Sequence, residues 1–124
     1  MFPVNLPLLS TEPLRLDLPD ADVRLWRQAF QPAAADEMLA ELRSRIDWQQ
    51  EDIVIFGERR RVPRLVAWHG DPGTAYTYSG TAHEPLPWTP ELQRVRHRAE
   101  ELTGYRYNSV LLNLYRDGRD GMGW

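Results

Sequence analysis

The chain has 124 residues, a formal net charge of -3, no cysteine, and hydrophobic and charged fractions of 42% and 27%. That suits one globular domain large enough to bury a core, and it excludes disulfides and thiolate metal sites. No apolar run approaches the roughly 18 residues of a membrane span. The opening MFPVNLPLLSTEPLRLDLPD is broken by Pro3, Pro7 and Pro13 and lacks a basic leader, so no signal peptide is expected and the expected location is cytoplasmic. All 15 basic residues are arginine. That bias fits a GC-rich coding sequence, or phosphate and base recognition by planar guanidinium groups. With an acidic total, any nucleic-acid surface must be local, and Arg59, Arg60, Arg61 and Arg64 form the strong basic cluster.

Residues 1–31 are punctuated by proline and are expected to wrap the surface, with one short strand at Leu14–Leu18. Pro32 then opens a helix through AAADEMLAELRSRIDW. Proline is tolerated at its first position, and Ala35, Met38, Leu39, Leu42 and Ile46 give it an apolar stripe. Residues 53–56 and 62–68 are β-rich runs separated by Gly57 and charges, which predicts a hairpin. Asp71-Pro72-Gly73 signals a turn, and AYTYSG a short strand. A second helix starts at Thr89-Pro90-Glu91, buries Leu92, Val95, Ala99 and Leu102, and stops at Gly104. SVLLNLY is the last strand and RDGRDGMG its exit loop.

His69-Gly70-Asp71 has the H-x-D spacing of two ligands in a facial iron site. The alternative is structural: His69 ends a strand and Asp71 begins the turn. His83 and His97 are single surface candidates, on a loop and a helix, and are read as ordinary solvated histidines. The G-x-S-x-G elbow, the Walker loop and the dinucleotide fingerprint are all missing. Tyr76 and Tyr78 lie two apart on a strand and share a face, where they either stack a planar ligand or pack a sheet. Asn113 and Tyr115 repeat that spacing in the last strand, and a buried amide there must find partners. Phe56 precedes Gly57 at the hairpin tip with arginines behind it. It is either an exposed wedge beside phosphate-binding groups or a core-facing residue of an edge hairpin.

Three blocks together resemble the AlkB-like family of Fe(II)- and 2-oxoglutarate-dependent dioxygenases, the nucleic-acid dealkylases, over residues 34–124. They are IVIFGERRRVPRLVAWHGDPGTAYTYSG, LPWTPELQRVRHRAEELTG and YNSVLLNLYRDGRDGMGW. The similarity is closest to DNA-repair members with a hairpin clamp. It implies an α+β fold, the N-terminal portion of a double-stranded β-helix (jelly-roll) with two outer helices and a β-hairpin lid. Within one partial domain over 1–124 it implies an N-terminal extension at 1–31, and the nucleotide-recognition hairpin and base-pocket strands at 51–80. By resemblance, Asn113 and Tyr115 contact 2-oxoglutarate. Tyr76 and Tyr78 line the damaged-base pocket, Tyr78 as its stacking face, above strand residues 64–68. Phe56 fills the gap left by a flipped base, with Arg59, Arg60 and Arg61 beside it on the nucleic acid. Relatives usually have tyrosine where this chain has His69, which argues against His69-Gly70-Asp71 as the iron site.

The same resemblance places the first iron-binding histidine immediately after Trp124, and the second histidine and the oxoglutarate-gripping arginines later still. The expectation for 124 residues is therefore a substrate side without metal ligands. The implied partner is alkylated DNA or RNA, with no membrane. The implied cofactors are Fe(II) and 2-oxoglutarate in a complete member, with neither held productively here, so dealkylation by these residues alone is not expected. A missing partner sheet would also leave apolar faces and strand edges open to aggregation. The competing readings are a non-catalytic nucleic-acid-binding module and a degraded remnant. Nothing in the sequence fixes an oligomeric state.

Overall fold

The computed structural model describes residues 12–78 and 81–122, with the backbone alone at 76–78, 81 and 82. In chain order the elements are β1 (Leu14–Leu18), β2 (Ala21–Leu25), α1 (Pro32–Arg45), β3 (Gln49–Ile55), β4 (Glu58–Gly70), β5 (Tyr76–Tyr78), β6 (Thr81–His83), α2 (Pro90–Thr103) and β7 (Ser109–Leu114). The class is α+β, and every strand pair is antiparallel.

β1 and β2 form a hairpin of their own. The single strand expected in 1–31 needs correcting, because Pro19 and Asp20 (φ 57) make a two-residue turn and send the chain back as β2. Pairing Leu14 with Leu25, Leu16 with Val23 and Leu18 with Ala21 places all six on one face, and the charged residues between them on the other. The five large members of that apolar face are 37–49% exposed.

α1 begins at Pro32 behind an extended Gln31, and Arg43 and Arg45 in its last turn suit the negative end of the helix dipole. It ends at Arg45, short of the expected Trp48, because Ile46 turns extended. Met38 and Ile46 are buried, but Leu39 is 57% exposed, against the stripe read from the sequence. The helix rests on the i, i+4, i+8 line of Met38, Leu42 and Ile46, and a neighbour one position on is rotated about 100° away from it. α2 follows the sequence reading closely. Thr89 Oγ1 accepts the Leu92 N–H at 3.2 Å, Pro90 takes the first turn, and Gly104 closes the helix at φ 75.

The central sheet runs β3-β4-β7. Both helices cover one face of it, where Ile46, Ala67 and Leu92 form a core packed by Leu42, Trp48, Trp88, Val110 and Leu112. The Arg45–Glu91 ion pair at 2.6 Å ties the end of α1 to the start of α2. The opposite face carries Val66, Trp68, Leu111 and Asn113, placed there by the pairs Val66 with Asn113 and Trp68 with Leu111.

Candidate nucleic-acid and cosubstrate site

The β3–β4 hairpin is longer than the sequence suggests, and it is broken by a bulge. Gln50 pairs with Leu65 and Asp52 with Arg61, so Val62, Pro63 and Arg64 stand opposite the single Glu51. Proline has no N–H to give a ladder and belongs at such a bulge. The carbonyls it frees are satisfied from outside the ladder. Gln50 Nε2 donates to the Val62 carbonyl at 2.8 Å, and Gly121 N–H to the Pro63 carbonyl at 2.8 Å. Val62 itself is 1% exposed and anchors the bulge.

Beyond the bulge the hairpin stands clear of the core. Phe56 and Gly57 make its tip with φ 51 and 78, both in the left-handed region. Two positive φ values in a two-residue loop are the pattern of a type I′ turn, which favours asparagine before glycine. Phenylalanine there is strained, and its side chain is fully exposed. Of the two positions open to it in the sequence, Phe56 therefore occupies the exposed one. Arg59 and Arg61 lie on one face with Asp52 and Val54, and Arg60 on the other with Ile53. Asp52 approaches Arg59 at 3.4 Å and Glu58 approaches Arg60 at 3.1 Å, so two of the three arginines already face a carboxylate. These pairs are exposed and weak, and a phosphate can compete for them.

On the sheet face away from the helices, Val66, Trp68 and Leu111 floor a cleft of about 380 Å³ walled by Glu51, His83 and Glu84. His83 ends β6, and in the backbone ladder it pairs with Tyr76 of β5. The side chains of Tyr76 and Tyr78 lie outside what is described, as does Trp124. Asn113 is the cross-strand neighbour of Val66 on the same face. Its Oδ1 accepts from Arg64 Nε at 3.1 Å, which leaves the amide nitrogen as a donor. Tyr115, just past the end of β7, is 46% exposed.

His69-Gly70-Asp71 makes structural contacts through His69 Nδ1 and Asp71 Oδ1. His69 is buried, with Nδ1 2.7 Å from the Pro87 carbonyl. Asp71 Oδ1 accepts Trp88 Nε1–H at 2.8 Å and faces Arg96 at 3.5 Å, while Arg96 lies 4.4 Å over the Trp88 ring. A side chain at Gly70 would meet the Asn108 carbonyl at 2.8 Å and Ser109 Cβ at 2.9 Å. Of the two readings open to the tripeptide, the geometry favours the structural one. Among the described residues no group of three His, Asp or Glu is gathered to hold a metal ion, so these residues do not fit iron. They do offer donors to a carboxylate, through the Asn113 amide and the Tyr115 hydroxyl.

The exit loop is stapled to itself. Asp120 accepts from Arg116 Nε at 2.7 Å and from its backbone N–H at 2.9 Å, and Asp117 accepts from Arg119 Nη2 at 2.8 Å. These contacts hold the Asp117 and Asp120 carboxyls below the usual carboxylate range, chiefly through the arginine hydrogen bonds. Sequence reasoning grouped Arg64 with the phosphate-facing arginines. The structure instead turns it inward at the bulge, and the signal for that was the proline before it.

The model of the 2OG-Fe(II) oxygenase superfamily matches residues 22–124. The chain belongs to that superfamily, as an AlkB-like member. It is 41% identical over 97 residues to DNA oxidative demethylase ALKBH2 of Bos taurus, an alignment covering 76% of this chain and 35% of the relative. The human ALKBH2 is 39% identical over 97 residues, covering 76% and 37%. Human alpha-ketoglutarate-dependent dioxygenase alkB homolog 3 is 40% identical over 91 residues, covering 73% and 31%. The chain thus spans about a third of the length of these relatives. Among the described residues no helix is long and apolar enough to cross a membrane.

Proposed function

We propose that these residues form the substrate side of an oxidative demethylase that removes alkyl groups from bases in DNA. The observation that carries this reading is Phe56: a strained, fully exposed aromatic at the tip of an arginine-bearing hairpin, in an AlkB-like chain. A hydrophobic ring in that position can enter a base stack and replace a base turned out of the helix. Arg59, Arg60 and Arg61 would hold phosphates on either side of it. In this reading Tyr76 and Tyr78 of β5, the strand paired with that of the cleft-lining His83, would receive the turned-out base. Asn113 and Tyr115 would hold a carboxylate of 2-oxoglutarate. In a complete enzyme iron and 2-oxoglutarate supply the oxidation of the alkyl carbon, and this chain's residues bind, orient and exclude water. In this reading the three-stranded sheet and its two helices are the N-terminal portion of a double-stranded β-helix.

The test uses the protein from its full reading frame, with iron, 2-oxoglutarate and a duplex carrying one methylated base. Release of formaldehyde is expected. Phe56→Ala should lower turnover on duplex by tenfold or more while sparing single-stranded DNA, where no stack has to be filled. No turnover on either substrate would refute the reading. We also propose that residues 1–124 by themselves do not dealkylate, because His69 Nδ1 and Asp71 Oδ1 are engaged by Pro87, Trp88 and Arg96 and no third ligand stands with them among the described residues. Turnover by purified 1–124 would overturn that.

A further inference from the structure

Arg64 joins β4 to β7 and to the exit loop that follows β7, 49 and 57 positions further along the chain. From β4 its Nε donates to Asn113 Oδ1 in β7 at 3.1 Å, and its Nη1 to the Gly121 carbonyl in the exit loop at 3.3 Å. Beside it, the Gly121 N–H binds the Pro63 carbonyl, so the exit loop is fastened to the bulge at two points. Unlike Arg59 and Arg60, which are 81% and 64% exposed at the side chain, Arg64 is half-buried. Its fork is already engaged by neutral partners and does not present itself to a phosphate.

The chemistry of that contact is directional. A guanidinium has only donors, so the group it meets on Asn113 must be the carbonyl oxygen. The two ends of a carboxamide have nearly the same shape, and packing alone does not choose between them. Arg64 makes the choice. With Oδ1 drawn toward Arg64, Nδ2 is the end left to donate. A carboxylate only accepts, so it is bound by Nδ2 and repelled by Oδ1.

We propose that Arg64 is a positioning residue: it sets the Asn113 amide as a donor for the 2-oxoglutarate carboxylate and couples that donor to the exit loop through Gly121. This rests on the reading of Asn113 as a cosubstrate contact. The bulge at Pro63 is what brings an arginine of the hairpin strand to this task.

The test is a calorimetric titration of 2-oxoglutarate into the full-reading-frame protein, with manganese as a redox-inert stand-in for iron. Arg64→Met is expected to weaken 2-oxoglutarate binding about tenfold, the scale of one charge-assisted hydrogen bond. Arg64→Lys is expected to weaken it several-fold, since one ammonium cannot reproduce the fork. On an Asn113→Ala background, Arg64→Met is expected to add nothing. A general structural defect would instead add its loss in the double variant, and that additivity overturns the proposal. So does unchanged 2-oxoglutarate affinity in Arg64→Met, or weakened duplex binding with cosubstrate affinity intact. If Arg64→Met does not fold, Arg64→Lys alone and on the Asn113→Ala background carries the same comparison. Wild-type protein that binds no 2-oxoglutarate sinks the functional reading itself, and it is told apart because that control fails before any variant is compared.

Discussion

At the tip of the β3–β4 hairpin, Phe56 breaks a local rule. The turn has φ 51 at Phe56 and φ 78 at Gly57, and the residue favoured at the first of those positions is asparagine. A non-glycine residue held in a sparse backbone region costs on the order of 1 kcal/mol or more. Among the described residues nothing packs against the ring to offset that, since it is fully exposed. Such a conflict between local preference and observed residue is expected at functional or strained sites, and the proposed base-stack role of Phe56 accounts for it. Phe56→Asn is therefore expected to leave thermal stability unchanged or raise it, while lowering turnover on duplex relative to single-stranded DNA; a melting curve and a duplex-to-single-strand activity ratio check both parts. Arg61 separates from its neighbours in the same way. It is exposed, whereas Arg59 and Arg60 already face Asp52 and Glu58. Arg61→Ala should reduce the slope of log affinity against log salt by about 1, measured by titration of a duplex at several salt concentrations. The residues Phe56, Asn113 and Tyr115 could be named from sequence because their types are odd for their places. The partner of Asn113 could not, since Arg64 lies 49 positions away along the chain.

Among the elements, α2 is the one whose sequence states its whole design. Thr89, Pro90 and Glu91 start it and Gly104 ends it, all by contacts within a few residues. Its first turn also holds the half of a longer contact that sequence does not announce. Glu91 is 7% exposed at the side chain and meets Arg45 at 2.6 Å across the α1–α2 seam. The carboxylate sits at a helix N-terminus and the guanidinium at a helix C-terminus, so each also meets a favourable dipole. The Arg45 hydrogen bond is the largest cause holding the Glu91 carboxyl below its ordinary value, with its own backbone N–H next. A carboxyl lowered in the folded state stabilises the fold above its unfolded pKa, and that contribution fades as pH falls through the folded value. Wild type should therefore be more stable than Glu91→Gln near neutrality, and the difference should shrink as pH drops below the ordinary glutamate range. Urea melts of both proteins across that range are the check. α1 and the β1–β2 hairpin were less legible. Leu39 has the right residue type for a buried stripe and the wrong angle, and β2 is hidden behind a turn made by Pro19 and Asp20.

Over the whole molecule, the helices cover one sheet face, and much apolar surface remains open elsewhere. Leu14, Leu16, Leu18, Val23 and Leu25 stay 37–49% exposed, and Leu111 is 45% exposed on the far sheet face. Exposed apolar patches and strand edges of this kind promote association. Residues 1–124 prepared alone should self-associate at micromolar concentration, and light scattering would show it; a monodisperse monomer with one sharp, reversible melt would contradict this. The core cluster is small, so it is sensitive. Leu92→Ala, at 2% exposure against Ile46 and Ala67, should cost about 2–5 kcal/mol in chemical denaturation of the full-reading-frame protein.

By itself the sequence determined what is written in short-range patterns: both helices and the caps of α2, the hairpin with Phe56 near its tip, the last strand, and the family through three blocks in order. The family rests on resemblance; each of the others depends on neighbours along the chain or on residue types that local chemistry explains. Only the tertiary structure decided the rest. It used Asp71 to anchor Trp88 and Arg96, left Leu39 in water, paired two of the hairpin arginines with carboxylates, and turned Arg64 from the phosphate side to Asn113. The reason is the same in each case. Which partner a polar or apolar group finds depends on segments tens of residues away, and burial and hydrogen-bond direction become defined only when the sheet has brought those segments together.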